Sequence, residues 1–199
     1  MHSLAGALAL VAALAVPAAA APLEEGVDAY RAKDYATAVK LWQPLAEQGN
    51  AAAQYRLGML YAEGKGVEQN DATAFMWLQR AAKQGDADAQ YNVGASYVEG
   101  IGVGKNDAEA ASWFQRAANQ GMVYAQINLG LLYASGTGVP KDNVEALKWL
   151  ELALIALPAS GARSDVARAI VDVAAKMDYV EKLEATKRER AWKATPEAK

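Results

Sequence analysis

The chain has 199 residues, a formal net charge of -3 and an isoelectric point near 5.3. With 53% hydrophobic and 22% charged residues, it has the composition of a folded domain and not of a disordered segment. Nucleic acid is not expected as a partner, because phosphate binding needs concentrated Lys and Arg. Cysteine is absent, and the only histidine, His2, lies in the N-terminal segment that we expect to be cleaved. The mature chain therefore lacks imidazole and thiolate groups, which removes Ser-His and Cys-His catalysis and nearly all zinc sites. We therefore expect no catalytic residue, no cofactor and no metal.

The N-terminal segment is apolar and contains no Asp, Glu, Lys or Arg. Its apolar core, from Leu4 to Val16, is shorter than the roughly 20 residues that a membrane-spanning helix needs. Ala18 and Ala20 then form an A-x-A cleavage site. We predict a cleaved signal peptide at residues 1–20, a periplasmic or secreted protein, and no stable membrane insertion. No Lys or Arg precedes the apolar core, so either the true start lies upstream or the signal is weak. The alternative is an uncleaved N-terminal anchor, made by extending the apolar segment through Ala21.

Residues 23–48 are predicted to form a shortened helix pair that caps the N-terminal end of a repeat array. The segment ATAVKLWQPLAEQG lies 36 residues before ATAFMWLQRAAKQG, and Asp34 is placed to cap its second helix. Two features depart from the later copies. Trp42 falls one place after the repeat's tryptophan, and Pro44 lies inside the predicted helix, where it removes a backbone hydrogen bond.

Three copies of a 36-residue unit follow without a gap, at residues 49–84, 85–120 and 121–156. Eleven columns are identical in all three copies. They include one helix glycine, one tyrosine and one tryptophan per copy, namely Gly58, Gly94 and Gly130, then Tyr61, Tyr97 and Tyr133, then Trp77, Trp113 and Trp149.

Each unit is predicted to be two helices joined by a G-x-G-V loop. In the first copy Ala53, Leu57 and Tyr61 recur at helical spacing and define the buried side of the first helix. The loop glycines can take positive φ, and Asn70 or Asp71 can cap the second helix. The equivalent cap candidates are Asn106 or Asp107 and Asp142 or Asn143.

The pattern A-Q-Y-x-L-G-x-x-Y-x-x-G-x-G-V, followed by an Asn or Asp cap and by A-x-x-W-[LF]-x-x-A, resembles the Sel-one-like repeat (SLR) family, relatives of tetratricopeptide repeats. The resemblance covers residues 49–156 strongly. It implies an all-α fold, an α/α superhelical solenoid of helix-turn-helix repeats. It also implies a concave face that binds a protein or peptide, and because no catalytic residue is found we expect no enzymatic activity.

Residues 159–192 are predicted to be helices that cap the C-terminal end of the array. One helix, from Ser164 to Met177, has an apolar side formed by Val166, Ile170, Val173 and Ala174. Asp178 and Glu181 predict a capping box at the start of a last helix running to about Trp192. We expect Trp192 either to dock on the cap or to protrude, and residues 193–199 to be a flexible tail.

The partner-binding groove is predicted on the side of the first helices that points away from the buried residues. The candidates are Tyr55, Arg56, Met59, Tyr91, Asn92, Tyr124 and Asn128. Ile127 and Leu131 belong to the same side, and we expect them to pack between helices.

Two other functions stay open. A hydrolase of the β-lactamase type is reported for relatives rich in cysteine, which this chain lacks, and a glycan or peptidoglycan binder would need further exposed aromatic residues.

Overall fold

The structure is a computed structural model that describes residues 20–158 and 161–197. The predicted signal peptide, apart from Ala20, lies outside the described residues. Within them the chain forms ten α-helices and no strand. The helices are α1 (Ala20–Arg31), α2 (Tyr35–Glu47), α3 (Ala51–Glu63), α4 (Asp71–Lys83), α5 (Ala87–Glu99), α6 (Asp107–Asn119), α7 (Val123–Ser135), α8 (Asn143–Ala156), α9 (Gly161–Ala174) and α10 (Tyr179–Ala191).

The helices pack in chain order, each from α2 to α7 between its two neighbours in sequence, and both α9 and α10 pack on α8. The core is accordingly a series of apolar clusters distributed along the stack. This arrangement confirms the predicted all-α solenoid, in which each unit is stabilised by its neighbours. In the part of the chain that the structure describes, no helix has the length and apolarity needed to cross a membrane.

Helix ends follow the predicted cap chemistry. The Asp34 carboxylate accepts a hydrogen bond from the backbone N–H of Thr37, as predicted. Of the alternative caps in the three repeats, the structure selects Asn70, Asn106 and Asp142. The next residue in each case is the first residue of the helix, where its side chain no longer reaches the orphan amides.

The G-x-G-V loop is also a contact between repeats. Gly102 has φ of +71°, and a Cβ atom there would overlap the backbone carbonyl of Asp71 at the start of α4. Gly138 meets Asp107 in the same way. Glycine is required at the second loop position for two reasons, namely the left-handed backbone and the close approach of the preceding repeat.

In the N-terminal unit, as in the repeats, a large side chain of the second helix packs against a glycine of the first helix. Trp42 is 1% exposed, and its indole N–H donates to the carbonyl of Leu23 at 3.1 Å. A Cβ atom on Gly26 would overlap that indole ring, just as one on Gly58 would press against Leu78. Trp42 therefore occupies the position of Leu78, and not that of the repeat's tryptophan. The helix continues through Pro44 to Glu47.

The C-terminal cap has the two predicted helices with shifted bounds. Helix α9 begins three residues earlier than predicted, at Gly161, and ends at Ala174. Val166 and Val173 are buried, as their spacing predicts. Asp178 and Glu181 form the reciprocal capping box at the start of α10.

The segment after α10 differs from the expected flexible tail. Residues 193–197 are not helical and lie against the repeats, where the N–H of Thr195 donates to the carbonyl of Asn119 at 2.8 Å. Trp192 docks edge-on against Trp149, with ring centroids 6.2 Å apart. The difference arises because the partners of this segment lie far away in the sequence. The short polar segment alone therefore does not reveal that it is held in place. Residues 198–199 lie outside the described residues.

Candidate functional site

A buried glutamine fixes the rotation of each first helix. Gln90 is fully buried, and its amide N–H donates to the carbonyl of Ala82 at 3.1 Å. Its oxygen accepts from Gln120 at 2.8 Å, and Gln120 also donates to the carbonyl of Gly85. Burial of an amide is favourable only when such partners satisfy it. The amide thus ties α5 to the end of α4 and to the end of α6.

The same glutamine occurs in the other two repeats. Gln54 donates to Ala46 at 2.9 Å and accepts from Gln84, and Gln126 donates to Ala118 at 3.4 Å. The sequence interpretation missed this role. The available signal was a polar residue that is invariant in three copies and follows directly after a buried alanine.

With Ala53 and Leu57 buried, the residues predicted for the groove lie on the opposite side of the first helices. We call this side the first-helix face and define it by Tyr55, Arg56, Met59, Tyr91, Asn92, Tyr124, Ile127, Asn128 and Leu131. All of these side chains are half-buried except Tyr124 and Leu131, which are 56% and 44% exposed. Most of the face is therefore partly accessible and partly used in packing.

Three predicted residues come together at the N-terminal end of the face. Tyr55, Arg56 and Met59 line a cavity of about 190 Å³. The other lining residues, which come from α1, α2 and the end of α3, are Tyr30, Trp42 and Glu63. We call this cavity the aromatic pocket. It lies where the shortened unit meets the first full repeat, and Tyr30, Trp42 and Glu63 were not predicted as part of it.

The aromatic pocket combines ring surfaces with charge. The guanidinium of Arg56 lies over the Trp42 ring, 5.4 Å from its centroid, a cation–π arrangement. Burial raises the pKa of the Tyr55 hydroxyl, with smaller contributions from Asp88 and Asp86. The hydroxyl of Tyr55 thus stays protonated at neutral pH and can donate a hydrogen bond to a ligand in the pocket.

The rim of the pocket carries an ion pair. The ammonium of Lys65 lies 2.6 Å from the Glu63 carboxylate and 3.3 Å from the Tyr30 hydroxyl, so these partners raise the pKa of Lys65. It also lies about 5.5 Å from the Tyr30 ring centroid. The rim is therefore polar while the walls are aromatic, as in many small binding pockets.

The middle of the first-helix face is a row of aromatic rings. Tyr91 packs between Phe114 and Tyr124, with centroid distances of 5.7 and 6.4 Å. The Asn92 amide donates to the carbonyl of Asp88, one turn earlier in the same helix, at 2.8 Å. Tyr91 therefore has a packing role, whereas Tyr124 presents most of its ring to solvent.

At the C-terminal end, α9 covers the first-helix face. Ile127 and Leu131 line a cavity of about 90 Å³ together with Val166 and Ala169 of α9. Ile127 packs between helices, as expected, because it joins the cluster that contains Val166, whereas Leu131 only borders the cavity and stays 44% exposed. The face is open at the aromatic pocket and closed where α9 crosses it.

The described residues hold no group of three or more His, Asp or Glu side chains arranged to bind a metal ion. What the face offers is aromatic surface, one stacked guanidinium and several amides, which suit non-covalent recognition of a peptide.

Comparison with known proteins agrees with the repeat. The Sel1 repeat profile matches residues 23–50, 51–86, 87–122 and 123–154. No curated protein matches. Among solved structures, the chain is similar to a Sel1 repeat protein from Oxalobacter formigenes, with 32% identity and a TM-score of 0.66, covering 84% of this chain and 74% of that one.

A second similar structure is a protective antigen of uropathogenic Escherichia coli strains that displays an SLR fold. It shares 26% identity, with a TM-score of 0.50, over 86% of this chain and 44% of that one. The profile extends the repeat to residue 23, so the shortened first unit is matched as a repeat in its own right.

Proposed function

Because the chain belongs to the Sel1 repeat family, whose members are typically protein-interaction scaffolds, we propose that it is an exported, non-enzymatic binding module. Its partner is a protein or peptide, and the binding surface is the first-helix face, which is the concave side in an α/α solenoid. The observation that carries this proposal is the aromatic pocket at the open end of that face.

The chemistry of the pocket suggests how a partner is held. A cavity of about 190 Å³ accommodates one large side chain, and its aromatic walls favour an apolar or aromatic group. Arg56, Asn92 and Asn128 then offer side-chain donors to the partner's backbone carbonyls along the face. Anchoring one side chain in a pocket while pairing the backbone is a common mode of peptide recognition.

The proposal of export rests on the N-terminal sequence. Cleavage after Ala20 would leave a mature protein that begins at the second residue of α1, so it would remove none of the later helices. Intact-mass measurement of the protein from its native envelope tests this step. A mass beginning at Ala21 supports export with cleavage, whereas a mass beginning at Met1 would replace the signal peptide with an anchor.

The binding proposal is tested by changing the polar residues of the first-helix face together. We expect the variant Arg56→Ala, Asn92→Ala, Asn128→Ala to keep the helical signal and thermal midpoint of the wild type. Its affinity for a partner captured with the wild-type protein is expected to fall by about tenfold or more, because several hydrogen bonds are lost together. Calorimetry or surface plasmon resonance measures the affinity.

A matched control carries one arginine and two amide substitutions on second helices, namely Arg80→Ala, Gln43→Ala and Gln79→Ala. It should bind the captured partner with unchanged affinity. If the first-helix variant folds normally and binds as tightly as the control, the first-helix face is not the binding surface.

A further inference from the structure

A second surface, separate from the first-helix face, already holds a non-helical segment, which lies at the C-terminal end of the described residues. We call residues 192–197 the C-terminal segment. It runs back along the stack from Trp149 of α8, past Gly121, to Arg116 of α6 and Gly85. It contacts the repeats through its backbone, at Thr195, as well as through the side chains of Trp192 and Glu197.

Charge holds the far end of the segment. Arg116 donates from Nε to one carboxylate oxygen of Glu197 at 2.8 Å and from Nη2 to the other at 2.6 Å. This bidentate geometry is the strongest form of the arginine–carboxylate pair. The pair lowers the pKa of Glu197 and raises that of Arg116. Both side chains are about one-third exposed or less.

Backbone and small residues hold the middle of the segment. The N–H of Thr195 donates to the carbonyl of Asn119 at the end of α6. A Cβ atom on Gly121 would lie 3.5 Å from that of Ala194, and one on Gly85 would lie 3.1 Å from that of Glu197. The segment thus packs closely on the turns between repeats, most tightly at Gly85, where a larger residue would press against Glu197. We call the surface under the segment the track.

The stacking of arginine on tryptophan that is seen at Arg116 also occurs outside the track, one repeat earlier. Arg116 lies over the ring of Trp113 at 4.5 Å, and Arg80 lies over the ring of Trp77 at the same distance. Only these two copies carry arginine, because the equivalent residue of the third copy is Leu152. The described segment ends at Glu197, beside Arg116 and one repeat short of Arg80.

We infer that this track is a binding site for a peptide of another protein that carries an aromatic residue and a carboxylate, and that the C-terminal segment is its displaceable internal occupant. The ligand carries an aromatic residue that packs on Trp149 and, five positions later, a carboxylate that pairs with Arg116. The internal copy competes with it at the high effective concentration of a tethered ligand. The inference does not depend on the first-helix face.

The test uses the full-length protein and a synthetic peptide with the sequence of residues 192–199, WKATPEAK. In Glu197→Lys the internal carboxylate is lost, so the peptide should bind at least about threefold more tightly than to the wild type. Adding Arg116→Gln to that variant should weaken peptide binding by about tenfold. Titrations of isotope-labelled protein followed by NMR measure these affinities and map the peptide to α6 and the adjacent turns.

Arg80→Gln in the Glu197→Lys background is the matched control, because Arg80 has the same stacking on tryptophan but does not contact the segment. It should leave the affinity unchanged. A charge-reversed pair tests whether the variants at Arg116 are folded. The peptide WKATPKAK should bind Arg116→Glu more tightly than it binds the wild type, which an unfolded variant would not do.

No detectable binding of the peptide to Glu197→Lys would overturn the inference. So would equal losses from Arg80→Gln and Arg116→Gln, because the contact would then be a general attraction between the carboxylate of the peptide and any nearby positive charge. The variant Arg56→Ala, Asn92→Ala, Asn128→Ala should bind the peptide as its parent does. That result separates this site from the first-helix face.

Discussion

The three full repeats are packed by contacts that recur in every copy, whereas the two ends of the stack are packed by other contacts. In the repeats, a helix glycine receives the side chain that follows the tryptophan, as Gly94 receives Phe114. At the N-terminal end, Gly26 receives Trp42 itself. The separation is 16 residues at the end and 20 in the repeats, because the connecting loop is four residues shorter. A larger side chain accompanies the shorter loop.

The C-terminal end departs further from the repeat. Helix α9 crosses the first-helix face at Ile127 and Leu131, while α10 packs on α8 and delivers the C-terminal segment to α6. Periodic contacts thus stabilise the interior, and contacts that occur once stabilise the ends. The comparison suggests that substitutions in the interior lower global stability, whereas substitutions at the ends act locally.

The largest effect is expected for Trp113→Ala, in the middle of the interior. Trp113 is 7% exposed and packs with Leu78, Ala82 and Val93. Its loss leaves a large cavity, so we expect the free energy of unfolding to fall by about 3–5 kcal/mol. Lys105→Ala, at an exposed loop position, should cost less than about 0.5 kcal/mol. Chemical denaturation compares the two variants, and equal losses would contradict the assignment of the core.

A smaller effect is expected in the loop between helices. Gly102→Ala introduces a Cβ atom that overlaps the Asp71 carbonyl and strains a residue with φ of +71°, so we expect a loss of about 2–3 kcal/mol. Gly104→Ala, two residues later, meets open space and should change stability by less than about 0.5 kcal/mol. Thermal and urea unfolding distinguish them. Similar stabilities for the two variants would show that the close approach of Gly102 to Asp71 does not help to join the repeats.

The smallest and most local effect is expected at the N-terminal end. Gly26→Ala displaces the Trp42 ring, at a cost of about 1–2 kcal/mol, and breaks its bond to Leu23. Hydrogen exchange should become about tenfold faster in α1 and α2 while rates in α5 to α8 stay unchanged. An equal acceleration in all helices would show that the ends and the interior unfold as one unit.

Most of the interior could be predicted from the sequence because each contact is repeated three times. The loop glycines, the caps and the buried tryptophans all recur at a spacing of 36 residues. The role of Gln90 was missed because its partners are a backbone carbonyl and Gln120 of the following helix, a pairing that periodicity does not specify.

The candidate site was predictable in part. Helical geometry placed Tyr55, Arg56 and Met59 on one side of α3, and the structure brings them into one pocket. The pocket's other wall, Tyr30 and Trp42, comes from the unit with a shortened loop, where the register was least certain. The contact between Arg116 and Glu197 joins residues 81 positions apart, and nothing in either segment alone predicts it.

Hydrogen exchange at the amide of Thr195 tests most directly the claim that contacts outside the repeat pattern hold the ends onto the interior. Thr195 lies outside any helix, so its N–H exchanges slowly only if it donates to Asn119. We predict protection at Thr195 in the full-length protein, and loss of that protection in Arg116→Gln while the amides of α5 to α8 remain protected. Exchange of the Thr195 amide in the wild type at the rate of an unstructured chain would contradict the account.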